Sequence, residues 1–172
     1  GVGTITGNMI SGNTATSRGA AFNAGAGYTF SNNHVLSNTG STIIYDYESG
    51  GTISGNIISG NTGGALYVKK GGGSGNCSIS SNTIFDNTGS PVMYLKSESS
   101  GSLEVKNNTI VGNSGSPTVS WSHSSSATAP VFSYNNIYGN SGTYEMATTI
   151  SSGTDLTVEN NYWGTSDASV IA

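Results

Sequence analysis

The stretch that decides the fold is Ile53-Ser54-Gly55-Asn56-Ile57-Ile58-Ser59-Gly60-Asn61-Thr62, and the chain repeats its pattern from end to end. Related copies begin at six other positions, namely Ile5, Phe30, Ile79, Val105, Phe132 and Val158. The first asparagine of each copy recurs after 25, 23, 26, 26, 27 and 26 residues. Self-similarity at such a period predicts a stacked repeat architecture.

Within each copy, apolar and polar residues alternate with the period of a β-strand. Ile53 and Ile58 are predicted to point inward, and Asn56 is predicted to lie at the bend between two short strands. Asparagine tolerates the left-handed backbone region, and its amide can bond to the same side chain one coil away. The pattern therefore predicts a structural ladder through Asn8, Asn33, Asn56, Asn82, Asn108, Asn135 and Asn161, and a second ladder through Asn13, Asn38, Asn61, Asn87, Asn113 and Asn140.

A third strand is expected after the second asparagine of each copy, as in residues 65–68, 92–95 and 118–121. Three short strands per coil, stacked in parallel, define a parallel β-helix, or β-solenoid. The sequence thus predicts an all-β chain of about seven coils, folded as a single domain over residues 1–172.

These repeats resemble the right-handed parallel β-helix superfamily, which includes pectate lyases, polygalacturonases, tailspikes and many surface proteins. The closing Asn160-Asn161-Tyr162-Trp163-Gly164-Thr165 is similar to the last coil of surface β-helix domains. The resemblance covers nearly all of the chain and implies a right-handed solenoid. It is specific for the fold and not for the function, because unrelated chemistries share this scaffold.

The composition restricts the possible partners. Charged residues make up 8% of the 172 residues, and the formal net charge is −4. Lys69-Lys70 is the only adjacent pair of cations, so nucleic acid is not expected as a partner. No apolar run has the length of a membrane span, so membrane insertion is not expected either. No cofactor or metal is expected.

The catalytic groups of the polysaccharide-cleaving members do not form a recognisable set in this sequence. Lyases need clustered carboxylates for calcium with a basic residue, and hydrolases need facing carboxylates. Five acidic residues fall on different columns of the repeat, namely Asp86, Glu104, Glu145, Asp155 and Glu159. We therefore expect a non-catalytic module, and a polysaccharide-cleaving lyase or glycosidase is the alternative.

The two histidines are expected to be solvated and not to bind metal. His34 is predicted to point outward from the second coil, and His123 is predicted to lie in a protruding polar loop over residues 122–129. The single Cys77 is predicted to point inward as a buried core thiol. Glu104 and Lys106 flank an inward valine and are expected to pair on the surface.

Tyr45, Tyr67 and Tyr94 fall at similar places on three successive third strands. If they point outward, they form a stacked aromatic stripe that can bind carbohydrate. The competing interpretation places some of them in the core, because the lengths of the preceding loops vary. The variable loop lengths favour that second interpretation.

Two further surface features are expected. The sequons Asn76-Cys77-Ser78 and Asn107-Asn108-Thr109 permit N-glycosylation at Asn76 and Asn107. An apolar lateral interface is predicted on the outward side of the second strands, formed by Met9, Leu36, Ile57, Phe85, Val111 and Tyr138.

The two ends of the chain suggest how the protein assembles. Gly1 opens inside a coil without an initiator methionine, so a processed form or an excerpt of a longer surface protein is expected. Neither end has a recognisable cap, and an open β-edge pairs readily with other chains. The predicted function is that of an extracellular or cell-surface structural solenoid, which stacks end to end with other copies of itself or forms part of a longer protein.

Overall fold

The structure, a computed structural model, describes residues 3–24, 27–47, 50–71, 75–98, 101–124, 128–151 and 155–164. Its strands pair in parallel with the strands three places further along the chain, and they form three sheets of seven, six and six strands. This arrangement is the predicted parallel β-solenoid. No described residue belongs to a helix that could span a membrane.

The first three coils consist of β1 (Gly3–Thr6), β2 (Met9–Ser11), β3 (Arg18–Ala24), β4 (Tyr28–Ser31), β5 (His34–Leu36), β6 (Thr39–Tyr47), β7 (Thr52–Ser54), β8 (Ile57–Ser59) and β9 (Thr62–Lys70). The next three consist of β10 (Cys77–Ser80), β11 (Thr83–Phe85), β12 (Met93–Ser97), β13 (Leu103–Lys106), β14 (Thr109–Val111), β15 (Val119–His123), β16 (Val131–Ser133), β17 (Asn136–Tyr138) and β18 (Met146–Ile150). A further coil begins with β19 (Thr157–Glu159).

The predicted number of coils is slightly too high. β19 closes the first sheet, and beyond it an isolated bridge joins Asn136 to Tyr162 in the second sheet. The described residues therefore complete six coils of three strands and begin a seventh. The part of the seventh copy that follows Gly164, residues 165–172, lies outside the described residues.

The core consists of inward columns that follow the predicted alternation. Phe30, Ile53 and Ile79 are fully buried in the first sheet, and Val35, Ile58 and Ile84 are fully buried in the second. Burying an aliphatic side chain of this size contributes about 1.5–3 kcal/mol, so each coil adds a similar increment of stability. The side chains of the inward columns are more exposed in the two outermost coils, where Ile5 is half-buried and Val158 is 38% exposed.

Both asparagine ladders are present, and Asn82 shows how they are built. Its side-chain nitrogen donates to the carbonyl oxygen of Ile53 and to Oδ1 of Asn108, each at 2.9 Å. Its Oδ1 accepts from the backbone nitrogen and the side-chain nitrogen of Asn56, at 3.0 and 2.9 Å. Because every polar group of the buried amide has a partner, the ladder satisfies the backbone at a corner that the sheets cannot reach.

The left-handed residue at each corner is the one before the ladder asparagine and not the asparagine itself. Gly7, Gly55 and Ser81 have φ values of 69°, 64° and 56° and precede ladder asparagines of the first column. Gly60 and Asp86, with φ values of 62° and 54°, do the same in the second column. The preceding residue makes the bend, so the asparagine is free to turn its amide into the ladder.

Candidate functional site

The outer face of the third sheet carries a stack of three tyrosines. Tyr45, Tyr67 and Tyr94 pair with one another in register along the strands β6, β9 and β12. Their ring centroids are 4.7 and 5.0 Å apart, with interplanar angles of 25° and 14°. Leu66 and Val68, the chain neighbours of Tyr67, belong to the core, so alternation places Tyr67 and the two tyrosines in register with it on the outside. The stripe that the sequence suggested is present on the outer face, and none of the three rings belongs to the apolar core cluster, although Tyr45 is buried.

The stack leaves few ring faces free. Each face between two neighbouring rings is covered, and the Arg18 guanidinium lies 4.9 Å from the centroid of Tyr45 and donates to its hydroxyl at 2.8 Å. Tyr45 is consequently only 6% exposed, whereas Tyr67 and Tyr94 are half-buried. Sugars stack on ring faces, so this geometry mainly offers ring edges and hydroxyl groups to a ligand. Carbohydrate binding stays a prediction.

A small charged network lies beside the tyrosines. Glu98 contacts Lys69 at 2.8 Å and Lys96 at 2.5 Å, and Lys69 also lies 4.4 Å from the ring centroid of Tyr47. The hydrogen bonds from Lys69 and Lys96 lower the pKa of Glu98. The bond between Lys96 and Glu98 also raises the pKa of Lys96. Glu98 is therefore held ionised by two cations, which is unsuited to a general acid.

A second cluster of polar residues lies inside the solenoid, and its position was not predicted from the sequence. Asp46 and Lys70 are fully buried, and the thiol of Cys77 lies 3.9 Å from the Asp46 carboxylate. Burial, followed by the negative charge of Asp46, raises the pKa of Cys77 to about 12. The same two causes, in the same order, raise the pKa of Tyr28 well above its usual range. The predicted core position of Cys77 is confirmed, and its thiol is held protonated.

The predicted loop position of His123 is wrong. His123 is the last residue of β15 and is 1% exposed, because alternation from the buried Trp121 turns it inward. Trp121 Nε1 donates to the Ser97 hydroxyl at 3.1 Å, and that oxygen lies 2.9 Å from His123 Nδ1. The Ser97 hydroxyl thus lies between the indole N–H and Nδ1 of His123, and no described hydrogen bond reaches the buried Nε2 of the same ring.

This burial predicts a loss of stability in acid. Desolvation lowers the pKa of His123, so the unfolded chain binds a proton at a higher pH than the folded one. The stabilisation is fully present above the unfolded pKa of about 6.5 and is lost as the pH falls below it. We expect the urea midpoint to fall between pH 7.5 and pH 5. The fall should be smaller in His123→Gln.

The exposed His34 supplies the matched control for this measurement. His34 points outward from β5, as predicted from the sequence. His34→Gln therefore removes a solvated ring and should leave the pH dependence of the wild type unchanged. Equal pH dependence in wild type and His123→Gln would show that His123 does not control the response.

Several carboxylates that cleavage chemistry would require have other partners. Glu104 pairs with Lys106 at 3.1 Å, as predicted, and Glu145 accepts a hydrogen bond from Asn140 at 2.9 Å. Asp86 forms a left-handed corner residue of the second sheet. Among the residues described, no three histidine, cysteine or acidic side chains come together in a way that could hold a metal ion.

The apolar outward residues of the second sheet occupy two separate columns. Register places Phe85, Val111 and Tyr138 on consecutive coils of one column, whereas Met9 and Ile57 lie in the other and are separated by His34. Met9 is 71% exposed and Tyr138 is 39% exposed, and the other members of the predicted interface, including Leu36, are half-buried. The lateral interface stays a prediction.

Both predicted glycosylation sites lie on the surface. Asn76 and Asn107 are exposed, and Asn107 is a left-handed corner residue with a φ of 58°. Oδ1 of Asn76 accepts from the backbone nitrogen of Ser102 at 3.1 Å, and no described hydrogen bond uses its side-chain nitrogen. The geometry leaves these amides accessible to modification, which stays a prediction.

The stacked parallel sheets, the two asparagine ladders and the inward apolar columns define the class of protein as a β-solenoid. Residues 1–129 match the family described as the right handed beta helix region, so the chain belongs to that family. The resemblance that the repeats suggested is thereby confirmed. The chain has no significant match among curated proteins or among solved structures.

Proposed function

We propose that this chain is a non-catalytic structural β-solenoid of an extracellular or cell-surface protein, and that its coils stack end to end with further coils. The observation that carries the proposal is the regular register of both ladders, in which each side-chain amide donates to the next from Asn8 to Asn161 in the first ladder and from Asn13 to Asn140 in the second. Proteins of this family are often extracellular or located on the cell surface, which supports the assigned location.

The engaged carboxylates support a structural role over polysaccharide cleavage. Glu98 is held ionised by two lysines, Glu104 pairs with Lys106, and Asp46 is fully buried away from the outer faces. Hydrolysis of a glycoside needs two facing carboxyl groups that are free to exchange protons with substrate and water. These three acidic groups are arranged for pairing and packing instead.

The partly open columns at the outermost coils support end-to-end stacking. Ile10 is half-buried at the first coil, and Val158 is 38% exposed at the last described strand. One further coil at either end would cover these side chains and continue the ladders. Such a coil can come from the same polypeptide in a longer protein or from a second copy, and the second case gives a head-to-tail filament.

Sedimentation velocity of the 172-residue chain over a wide concentration range tests the self-association. We expect elongated oligomers that grow with concentration. Ile10→Asp should reduce them strongly, because it places a charge where the next coil would pack. Met9→Asp, on the same strand but facing solvent, should leave them unchanged.

The pair of variants separates two modes of assembly, provided that both retain the β-rich circular dichroism of the wild type. If Met9→Asp disperses the oligomers and Ile10→Asp does not, the contact is lateral and runs through the outer face of the second sheet. A wild type that stays monomeric at every concentration contradicts self-stacking.

A further inference from the structure

The tyrosine stack holds phenol rings of successive coils face to face. Tyr67 and Tyr94 pair in register on β9 and β12, with ring centroids 5.0 Å apart and an angle of 14° between the ring planes. Adjacent strands lie about 4.8 Å apart, so the spacing of the rings is that of the backbones that carry them. The two phenols therefore stay next to each other for as long as the third sheet is paired.

The members of the stack differ in their access to a reagent in solution. Tyr67 and Tyr94 are half-buried, whereas Tyr45 is buried beneath the Arg18 guanidinium, which lies 4.9 Å from its ring centroid. The attraction between this cation and the ring electrons would be lost if an electron were removed from Tyr45. Oxidation in this stack is therefore expected at Tyr67 and Tyr94 before Tyr45.

The surroundings of Tyr67 favour loss of a proton together with an electron. Burial, followed by the neighbouring tyrosines, raises the pKa of Tyr67, so its hydroxyl is protonated at neutral pH. Because the residue is half-exposed, solvent can accept this proton. The nearby Lys69 and Lys96 both contact Glu98, which compensates part of their positive charge. The product expected from oxidation of Tyr67 is therefore a neutral phenoxyl radical.

We propose that Tyr67 and Tyr94 form an oxidative cross-linking site, at which a one-electron oxidant joins the two rings as dityrosine. Each tyrosine gives one electron to the oxidant and its phenolic proton to water, which leaves a radical with spin density on the carbons ortho to the oxygen. The two unpaired electrons form a carbon–carbon bond between ortho positions. Each ring then moves the hydrogen of that carbon to its oxygen and becomes aromatic again. Two phenols thus lose two electrons and two protons in total.

A second tyrosine pair separates the effect of stacking from that of exposure. Tyr138 and Tyr162 are 39% and 51% exposed, with ring centroids 5.8 Å apart, but their ring planes are inclined at 62°. Their rings meet edge to face, so the ring carbons of one do not lie over those of the other. Exposure alone would favour coupling of Tyr138 with Tyr162, whereas parallel stacking favours Tyr67 with Tyr94.

The cross-link would join β9 to β12 covalently and so connect two successive coils. A covalent bond between distant positions restricts the unfolded chain, so the linked protein should resist urea more strongly than the unlinked one. This inference goes beyond the proposed structural role and does not depend on it, because the coupling takes place within one chain.

Oxidation of the 172-residue chain by a photo-activated ruthenium complex with persulfate tests the proposal, at a dose that couples N-acetyltyrosine amide in a parallel reaction. The monomer is then isolated by size exclusion, digested and analysed by mass spectrometry. We expect a peptide pair joined through Tyr67 and Tyr94, lighter than the two separate peptides by two hydrogens. Since the rings are already in place, the yield per chain should not change when the protein is diluted.

Two phenylalanine variants provide the comparison, since each keeps a ring and removes one phenol. Tyr67→Phe should lower the dityrosine fluorescence of the monomer at least about fivefold, because the remaining tyrosines lack a parallel partner. Tyr138→Phe is the matched control and should give the yield of the wild type. Absence of the joined peptides from oxidised wild type, equal fluorescence in wild type and Tyr67→Phe, or a larger yield of the Tyr138–Tyr162 link would overturn the proposal.

Discussion

Replacing Asn82 by alanine is expected to lower the free energy of unfolding by about 3–6 kcal/mol. The change removes the acceptor of the backbone and side-chain nitrogens of Asn56, and it removes the donor to the Ile53 carbonyl. These groups lie in the buried interior of the solenoid, and each unsatisfied one costs about 1–2 kcal/mol. Urea denaturation followed by circular dichroism measures the change. An effect of this size is a large fraction of the stability of an ordinary domain.

Asn8→Ala provides the control for the ladder. Asn8 belongs to the same column but is exposed, and its side-chain nitrogen donates only to Thr6 and Asn33. The Asn33 oxygen keeps its bond from the backbone nitrogen of Asn8 after the substitution. We expect a loss of about 1 kcal/mol or less. Similar losses for Asn8→Ala and Asn82→Ala would mean that burial does not govern the ladder's contribution.

Replacing Trp121 by alanine is expected to cost about 3–5 kcal/mol, the range for deleting a large aromatic side chain from a core. Trp121 is fully buried, packs edge-on against Phe132 at 6.0 Å, and donates its indole N–H to Ser97. Its removal leaves a cavity and takes away one partner of the Ser97–His123 pair. Thermal and urea unfolding both measure the loss.

The chain has one other tryptophan, which serves as the control. Trp163 stacks on the opposite neighbour of the same Phe132 at 6.2 Å but is only half-buried. Trp163→Ala should cost about 1–2 kcal/mol, because less apolar surface is removed from contact. Equal losses for the two variants would contradict the assignment of Trp121 to the centre of the core.

The solenoid itself could be predicted from the sequence because two patterns, the inward apolar residues and the ladder asparagines, recur with the same period. The five-residue spacing between Asn56 and Asn61 is the same in every complete copy, so the corners of the first two sheets are fixed by local spacing alone. The third strand follows a stretch of variable length, and its register could not be fixed in the same way. That is why Tyr45, Tyr67 and Tyr94 could not be assigned to one face before the structure was known.

The interior polar residues were missed for an energetic reason. Burying a charged or polar side chain is costly, so Asp46, Lys70 and His123 are expected on the surface unless their partners are visible. Two of these residues have partners from other coils, Cys77 for Asp46 and Ser97 for His123, and sequence distance conceals them. A signal was nevertheless available, because alternation from Trp121 points His123 inward and alternation from Val68 does the same for Lys70.

The close backbone contact between coils at the corner of the second and third sheets was also not predicted, although its signal recurs in the sequence. A threonine or serine followed by glycine comes directly after the ladder asparagine in five copies, beginning at Thr39, Thr62, Thr88, Ser114 and Ser141. The sequence indicated only a turn of small residues. Backbone contacts between coils, such as that of Gly63 with Gly40, become visible only when the coils are stacked.

The asparagine ladders also give the solenoid a direction. From Asn8 to Asn33, from Asn56 to Asn82 and from Asn135 to Asn161, the side-chain nitrogen of one coil donates to the oxygen of the next, always in the same sense. The amide dipoles therefore add along the axis, as peptide dipoles do in a helix. Two like ends would bring oxygen against oxygen or nitrogen against nitrogen. A further coil continues the ladders only if it arrives with the same polarity, so the proposed end-to-end assembly would grow in one direction along the axis.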